Sequence, residues 1–493
     1  MISEELKKVR EYEEAAGNAI PPEERPLFHL SPRVGWMNDP NGFSQYKGMF
    51  HLFYQYYPYA KKWGPMHWGH AVSKDLLKWE FLPAALAPDS DADRDGCFSG
   101  GAIELEDGRH MLMYTGVIKM PVFEKDTYLQ HQCIAFGDGV NYTKIDSNPV
   151  ISIFDLPKDT NDHDFRDPKV WREKDGSLAC VVGNCTVDNK GRILYFKSKD
   201  GLKWELESIL AENDGTTGKM WECPDFFALD GKYVLLLSPQ DFTQTDKYYC
   251  GNNAIYMIGS YDEKEKKFIR ETDNMIDCGI DFYATQTLKL EDGRTIMIGW
   301  MQNWDTITYF GEELKWIGQM TLPRELSIRN GKLYQKPIRE LENLRRNPVI
   351  YKDVFLNGRK RLDKIEGRTI DLKVDVHPAE ESAFSKFEIR FAEGKGVYTS
   401  LVYHYNKKKV SFDRTYCGSA RAVQHHRECK VRDHAGKISI RLILDRFSSE
   451  IFINDGERVL SDIIYTDQSC KGISFYADDD VLMDIEKYDL SFE

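Results

Sequence analysis

A chain of 493 residues exceeds what one hydrophobic core usually organises, so two domains of unequal size are expected. A net charge of −13 without a basic stripe argues against a nucleic-acid partner held through phosphates, and no stretch approaches the ~20 apolar residues of a membrane span. Hydrophobic residues at 41% supply ample core, and 26 Tyr, 26 Phe and 10 Trp favour β structure with stacking surfaces.

The chain starts with an N-terminal extension over 1–26, MISEELKKVREYEEAAGNAIPPEERP, whose charged pattern predicts a helix from Glu4 to Ala16. It holds no apolar run of signal-peptide length. Ten cysteines are scattered without a C-x-x-C pair, which fits reduced thiols better than a disulfide framework or structural zinc. A cytoplasmic location is therefore expected.

Residues 27–338 read as short strands separated by turn residues. SKDLLKWE from Ser73 and SKDGLKWE from Ser198 are near copies. With GDGVNY and SYDEKEKKF they form a series in which Asp75, Asp138, Asp200 and Asp262 recur at intervals of 63, 62 and 62 residues. A second series places a glycine turn ahead of an apolar strand at Gly48, Gly108, Gly176, Gly231 and Gly293, four of them as the Asp-Gly pair that hairpin loops favour. Five hairpins on one period predict a five-bladed β-propeller, whose innermost strands face a common channel.

Nine residues before each turn glycine stand Asp39, Ser99, Asp167, Glu222 and Ala284. Equal offsets put these residues at one level of equivalent strands, so three carboxyl groups are expected around one channel mouth. Asp-Pro and Glu-Cys-Pro also occur as plain strand-edge punctuation. Three acids in register weigh against that reading, because like charges gathered in a cleft are kept for chemistry or for a metal. The ring offers no histidine, and Asp91-x-Asp93-x-Asp95-Gly96 begins like a calcium loop but has Ala102 at its twelfth position, so neither metal nor cofactor is expected.

A linker over 339–348 is expected to lead into a second domain over 349–493, where short alternating strands predict a β-sandwich docked on the propeller through apolar contacts.

The motifs Trp36-Met37-Asn38-Asp39-Pro40-Asn41-Gly42, Arg166-Asp167-Pro168 and Glu222-Cys223-Pro224 stand in the order found in glycoside hydrolase family 32, the invertase and fructan hydrolase family, which the chain resembles over almost its whole length. LILDRFSSEIFINDGERVLS is similar to that family's sandwich signature. The resemblance implies an all-β fold, a five-bladed propeller followed by a C-terminal β-sandwich. It implies that Asp39 is the nucleophile, Glu222 the general acid/base and Asp167 the transition-state stabiliser of a retaining β-fructofuranosidase. The charge of Asp39 would help Glu222 keep its proton until the bond breaks, and esterification of Asp39 would then remove that repulsion.

Substrate contacts implied by the family fall on Trp36, Asn38, Gln55, Trp63, Phe98, Ser99, Arg166 and Trp300. Strand alternation turns Arg166 to the face opposite its neighbour Asp167. Gly101 departs from the family's usual serine in Phe-Ser-Gly-Ser. The implied substrates are sucrose, sucrose 6-phosphate or short fructo-oligosaccharides, with Lys61 and Lys62 the candidates for a 6-phosphate. Two other classes fit the same residues: a fructosyltransferase sharing the intermediate, and a non-catalytic sugar-binding propeller.

Overall fold

The computed structural model describes residues 2–122, 125–307, 314–380 and 382–492. Its one α-helix longer than a few turns among them is Glu4–Asn18, capped by Ser3, whose Oγ accepts from Leu6 N at 3.1 Å, with Glu4 and Glu5 in the first turn. Leu6, Val9, Glu13 and Gly17, three and four residues apart, form its buried face. That face lies on the outer edge of the first blade, where Glu13 Oε1 accepts from Ala84 N at 2.7 Å.

Five sheets follow, each built on an antiparallel meander of four strands, with a fifth, parallel strand added to the first. The innermost strands are Gly35–Tyr46, Gly96–Glu104, Thr160–Arg172, Trp221–Leu229 and Tyr283–Lys289. Each ends in one of the five turn glycines, all at positive φ between 75° and 88°. The Asp series marks the turn between the third and fourth strands of blades 1 to 4. There Asp75, Asp138, Asp200 and Asp262 each accept two backbone N–H groups from the residues just after them. Strand Trp316–Ile317, from the fifth blade, pairs in parallel with Gly35 and Trp36 of the first and closes the ring. The Asp91 to Gly96 loop closes on a lysine, since the Lys144 ammonium bridges Asp89 and Asp93.

The C-terminal domain is sheet-rich and hangs on the long strand Gly472–Leu490. Its first residues pair with Lys386–Gly394 and its later ones with Ile370–Pro378, while Arg345–Lys360 follows it along its other edge. Ile389, Phe391, Leu401, Phe412, Leu442, Ile451, Phe475 and Ile485 share one buried core between the layers of this sandwich.

Propeller and sandwich meet in part through apolar contact, with Ile443, Phe452 and Val459 packed among Phe28, Leu30, Ile296 and Leu341. Apolar docking is only half of the interface. Two of the four acids in the sandwich signature, Asp445 and Glu450, face the propeller. Asp445 accepts from the backbone of Leu27 and Phe28 and lies 2.9 Å from His29 Nδ1, and Glu450 lies 2.9 Å from His29 Nε2. Arg324 bridges Glu450 and Asp277, and none of these three side chains is exposed.

Three buried histidines pack between blades 1 and 2. His51 Nδ1 is 3.0 Å from His70 Nε2, while His110 lies between Ser44 Oγ at 3.0 Å and the Tyr142 hydroxyl at 2.8 Å. Burial pulls His51 down to about 4 and His110 to about 3, and His70 well below the usual imidazole range. All three are neutral in the fold and free to charge once unfolded. They contribute stability that is present above pH 6.5 and is lost as pH falls through about 4. The melting temperature should therefore fall steeply below pH 5, and a His110→Gln variant should flatten that limb. An unchanged slope would reject this origin.

Candidate active site

In every blade the pairing between the innermost strand and its neighbour breaks at one level. The breaks lie between Met37 and Pro40, Phe98 and Gly100, Arg166 and Lys169, Glu222 and Asp225, and Tyr283 and Thr285. Such bulges leave residues unpaired and re-aim their side chains. Asp167, Cys223 and Ala284 take left-handed backbone there, at φ of 68°, 49° and 43°. That conformation costs of order 1–3 kcal/mol for a residue with a Cβ. Pro168 and Pro224 suit the breaks in blades 3 and 4, having no N–H to leave unpaired.

The nine-residue offset treats the strands as straight, and the bulges modify its result. Asp39, Ser99, Asp167 and Ala284 lie inside the breaks, whereas Glu222 is the last paired residue before its own, equivalent to Phe98, Arg166 and Tyr283. Two tiers result. In the inner one Ser99 Oγ donates to Asp39 Oδ2 at 2.7 Å and Cys223 N donates to Asp167 Oδ2 at 2.9 Å. The Cys223 thiol sits 3.6 Å from both carboxylates. In the second tier Arg166 Nε donates to Glu222 Oε1 at 3.0 Å, and the Tyr283 hydroxyl is 2.6 Å from Glu222 Oε2 and 2.7 Å from the Ser238 carbonyl. Arg166 bonds Glu222, Gln130 and Asp164, and lines the same cavity as Asp167.

Asp39, Asp167 and Glu222 all line one cavity of about 800 Å³ at the channel mouth, together with Asn38, Gln55, Trp63, Phe98, Ser99 and Arg166. Trp63, 37% exposed, stands at the rim with its ring edge-on to Phe98 at 5.9 Å. Trp36 and Trp300 have no exposed surface and lie beneath the cavity. Trp36 stacks at 5.9 Å on Trp304, which does line it, and donates from Nε1 to Asn38 Oδ1 at 2.7 Å.

Residues 29–337 match the glycosyl hydrolases family 32 N-terminal domain, and residues 340–489 match the glycosyl hydrolases family 32 C-terminal domain. This chain belongs to glycosyl hydrolase family 32. It is 36% identical to raffinose invertase of Escherichia coli over 92% of each chain, and 35% identical to sucrose-6-phosphate hydrolase of Bacillus subtilis over 92% of this chain and 90% of that one. Among solved structures it is similar to a β-fructofuranosidase of Bombyx mori, at 36% identity, 98% coverage of both chains and a TM-score of 0.84. The sucrose-6-phosphate hydrolase of Lactobacillus gasseri superposes with a TM-score of 0.84 at 27% identity, over 100% of this chain and 97% of that one.

In this family 32 chain the electrostatics of the cavity are shared among close acids. Burial first, then the charge of Glu222, pushes Asp39 up, while donors from Ser99, Asn38 and Cys223 pull it down. Asp167 is pushed up to about 7, by burial and by Glu222 and Asp39 against the pull of Arg166. Burial alone would pull the Arg166 guanidinium down, but Glu222, Asp164 and Asp167 hold it above its ordinary value, so it stays charged. Burial and the charge of Glu222 push the Tyr283 phenol well up, so it stays a neutral donor.

Gly101 has a local cause. A Cβ there would stand 3.1 Å from Val170 N and 3.2 Å from Pro168 O, so the glycine lets blade 2 approach the strand that carries Asp167. Tyr128, Gln130, Asp164, Asp241, Asn252 and Trp304 also line the cavity and were not singled out from sequence. Asp241, Asn252 and Trp304 sit on connections beyond the strands, where no blade period reaches, while Asp164 lies on the innermost strand of blade 3. The length of the hairpin His110–Val122 to Lys125–Gly137, which brings Tyr128 and Gln130, was the one available signal.

Proposed function

We propose that this chain is a retaining β-fructofuranosidase that hydrolyses the terminal β-D-fructofuranosyl bond of sucrose and of short fructo-oligosaccharides. The observation that carries the reading is that Asp39, Asp167 and Glu222 open into one sugar-sized cavity, with Arg166 and Tyr283 holding the two oxygens of Glu222. Retention needs two carboxyl groups ~5–5.5 Å apart. Cys223, next along the chain from Glu222, brings its thiol to 3.6 Å from Asp39 Oδ2, which supports that closeness.

In the first step the Asp39 carboxylate attacks the anomeric carbon of fructose, while Glu222 gives its proton to the departing glycosidic oxygen. Asp167 holds the fructose hydroxyls as charge develops on the ring. In the second step Glu222 takes a proton from water, the hydroxide attacks the anomeric carbon, and the bond to Asp39 breaks. The Tyr283 hydroxyl carries a single proton that reaches either Glu222 Oε2 or the Ser238 carbonyl, so it can turn to Glu222 once that group has given its own proton to the leaving oxygen.

The propeller over 27–338 carries this chemistry in our reading, joined through 339–348 to the sandwich over 349–493. All ten cysteines are free thiols, Cys223 in the site among them, which suits a reducing, cytoplasmic compartment. No helix of the described residues is long and apolar enough to cross a membrane.

The described rim favours an uncharged leaving group. Gln130, Gln240, Asn252, Tyr128, Trp63 and Trp304 offer amides and rings, Asp241 adds a negative charge, His163 lies 3.6 Å from the Asp164 carboxylate, and neither Lys61 nor Lys62 is among the lining residues. We expect kcat/KM for sucrose and 1-kestose to exceed that for sucrose 6-phosphate by about tenfold, ~1.4 kcal/mol of repulsion and lost hydrogen bonding. Equal or better use of sucrose 6-phosphate would overturn the leaving-group reading, and no fructose from any of the three would sink the hydrolase itself. At high sucrose a transferase would show trisaccharide in place of equal glucose and fructose, and a purely binding propeller would show neither.

A further inference from the structure

The two anchors of Glu222 are built differently. Arg166 precedes a bulge stiffened by Pro168, and Glu222 precedes one stiffened by Pro224, whereas Tyr283 precedes Ala284 at φ 43° with Thr285 behind it. A left-handed alanine persists only where its surroundings over-determine it. In blade 5 the sandwich supplies that constraint. Its strand Arg458–Ile463 runs along residues 277–281, where Cys278 N donates to Val459 O at 2.8 Å and Asp281 N to Ser461 O at 3.1 Å. Gly279 makes the approach possible, because a Cβ there would lie 2.2 Å from Ser461 O.

The latch ends on an ion pair with no exposed surface. Arg414, from the sandwich, donates from Nη1 to Asp281 Oδ2 at 2.6 Å and from Nε to the Gln424 carbonyl at 2.8 Å. Asp281 is then fully engaged, because Ile463 N also donates to Oδ2 at 2.8 Å and Thr306 Oγ1 donates to Oδ1 at 2.9 Å. Two residues further on, the Tyr283 hydroxyl meets Glu222.

We infer that Arg414 is a positioning residue for catalysis: by fixing Asp281 it holds the strained start of blade 5 so that the Tyr283 hydroxyl stays against Glu222. The inference rests on Glu222 being the acid/base. It gives the C-terminal domain a part in turnover beyond its docking on the propeller.

The test is a double-mutant cycle in the full chain with Arg414→Lys and Tyr283→Phe. Each single variant should lower kcat for sucrose about tenfold with KM within about twofold, the mark of an interaction needed in the transition state. Each should lose at most about twofold on a fructoside whose phenolate leaves without protonation. In the Tyr283→Phe background Arg414→Lys should add less than about twofold, because the route it acts through is already cut. Additive losses in the cycle, or a lowered melting temperature with unchanged kcat, would leave Arg414 a purely structural residue and overturn the inference. If Arg414→Lys does not fold, Asp281→Asn, which keeps the side chain's shape, takes its place with the same expectations. Near-normal sucrose turnover by Glu222→Gln would instead remove the reading on which the inference rests, so the two failures are distinct.

Discussion

Replacing Asp39 by asparagine is expected to lower sucrose turnover by about 10³-fold or more, because an amide cannot form the ester to the anomeric carbon. Glu222→Gln should match it on sucrose, whose leaving oxygen needs a proton, and should lose far less on a fructoside that departs unaided. Neither loss should come with unfolding. Burial and the charge of Glu222 raise Asp39 above its ordinary range, so its ionised form costs the fold stability at neutral pH. Asp39→Asn removes that cost while Ser99 and Cys223 keep a polar neighbour, and its melting temperature should be unchanged or higher. Steady-state kinetics on the two substrates and scanning calorimetry check both halves. Turnover within tenfold of the wild type in either variant would dismiss the assignment of nucleophile and acid.

The largest stability effect is expected far from the cavity, at Arg324. Its guanidinium bonds Glu450 through Nε at 2.9 Å and Asp277 through Nη1 at 2.9 Å, all three unexposed. Arg324→Met leaves buried Asp277 without its cation and Glu450 with His29 alone, which costs about 3–5 kcal/mol. Glu450→Gln keeps the shape and should cost less. The same network carries a pH signature. Burial pulls His29 down, but Asp445 and Glu450 overcome it and raise His29 to about 9. With its folded value above 6.5, His29 contributes stability that is complete below that pH and is lost as pH rises through about 9. Calorimetry from pH 6 to 10 should show the melting temperature of the wild type declining between about pH 6.5 and 9 and that of His29→Gln staying flat over that range. A melting temperature within about 1 °C of wild type for Arg324→Met would mean that the apolar contacts alone hold the domains together.

The blades were legible because a propeller repeats one local pattern. Asp-Gly turns and the Asp75 series mark hairpins whose chemistry is complete within a few residues, so turn type and strand order follow from adjacent side chains. Asp39, Asp167 and Glu222 were legible for the same reason, since an equal distance from equivalent turns implies an equal height in the channel. The tiers were not. Whether a bulge holds one residue or two decides which side chain faces the channel, and that choice follows from packing against the neighbouring blade. Trp36 and Trp300 show the same limit: an aromatic residue on an innermost strand can face the cavity or the core beneath it, and here both are beneath.

Residue order alone thus determined the number of blades, the three acids at one mouth and the presence of a second domain, because each depends on contacts a few residues apart or on a repeat of them. Only the tertiary structure decided that Arg166 and Tyr283 grip Glu222, that His29 and Arg324 lie buried against the sandwich acids Asp445 and Glu450, and that Arg414 reaches Asp281. Those pairs join residues 56 to 421 positions apart. Their partners are chosen by the closure of the ring and the seating of the sandwich, where a buried charge must find its opposite wherever the fold delivers it.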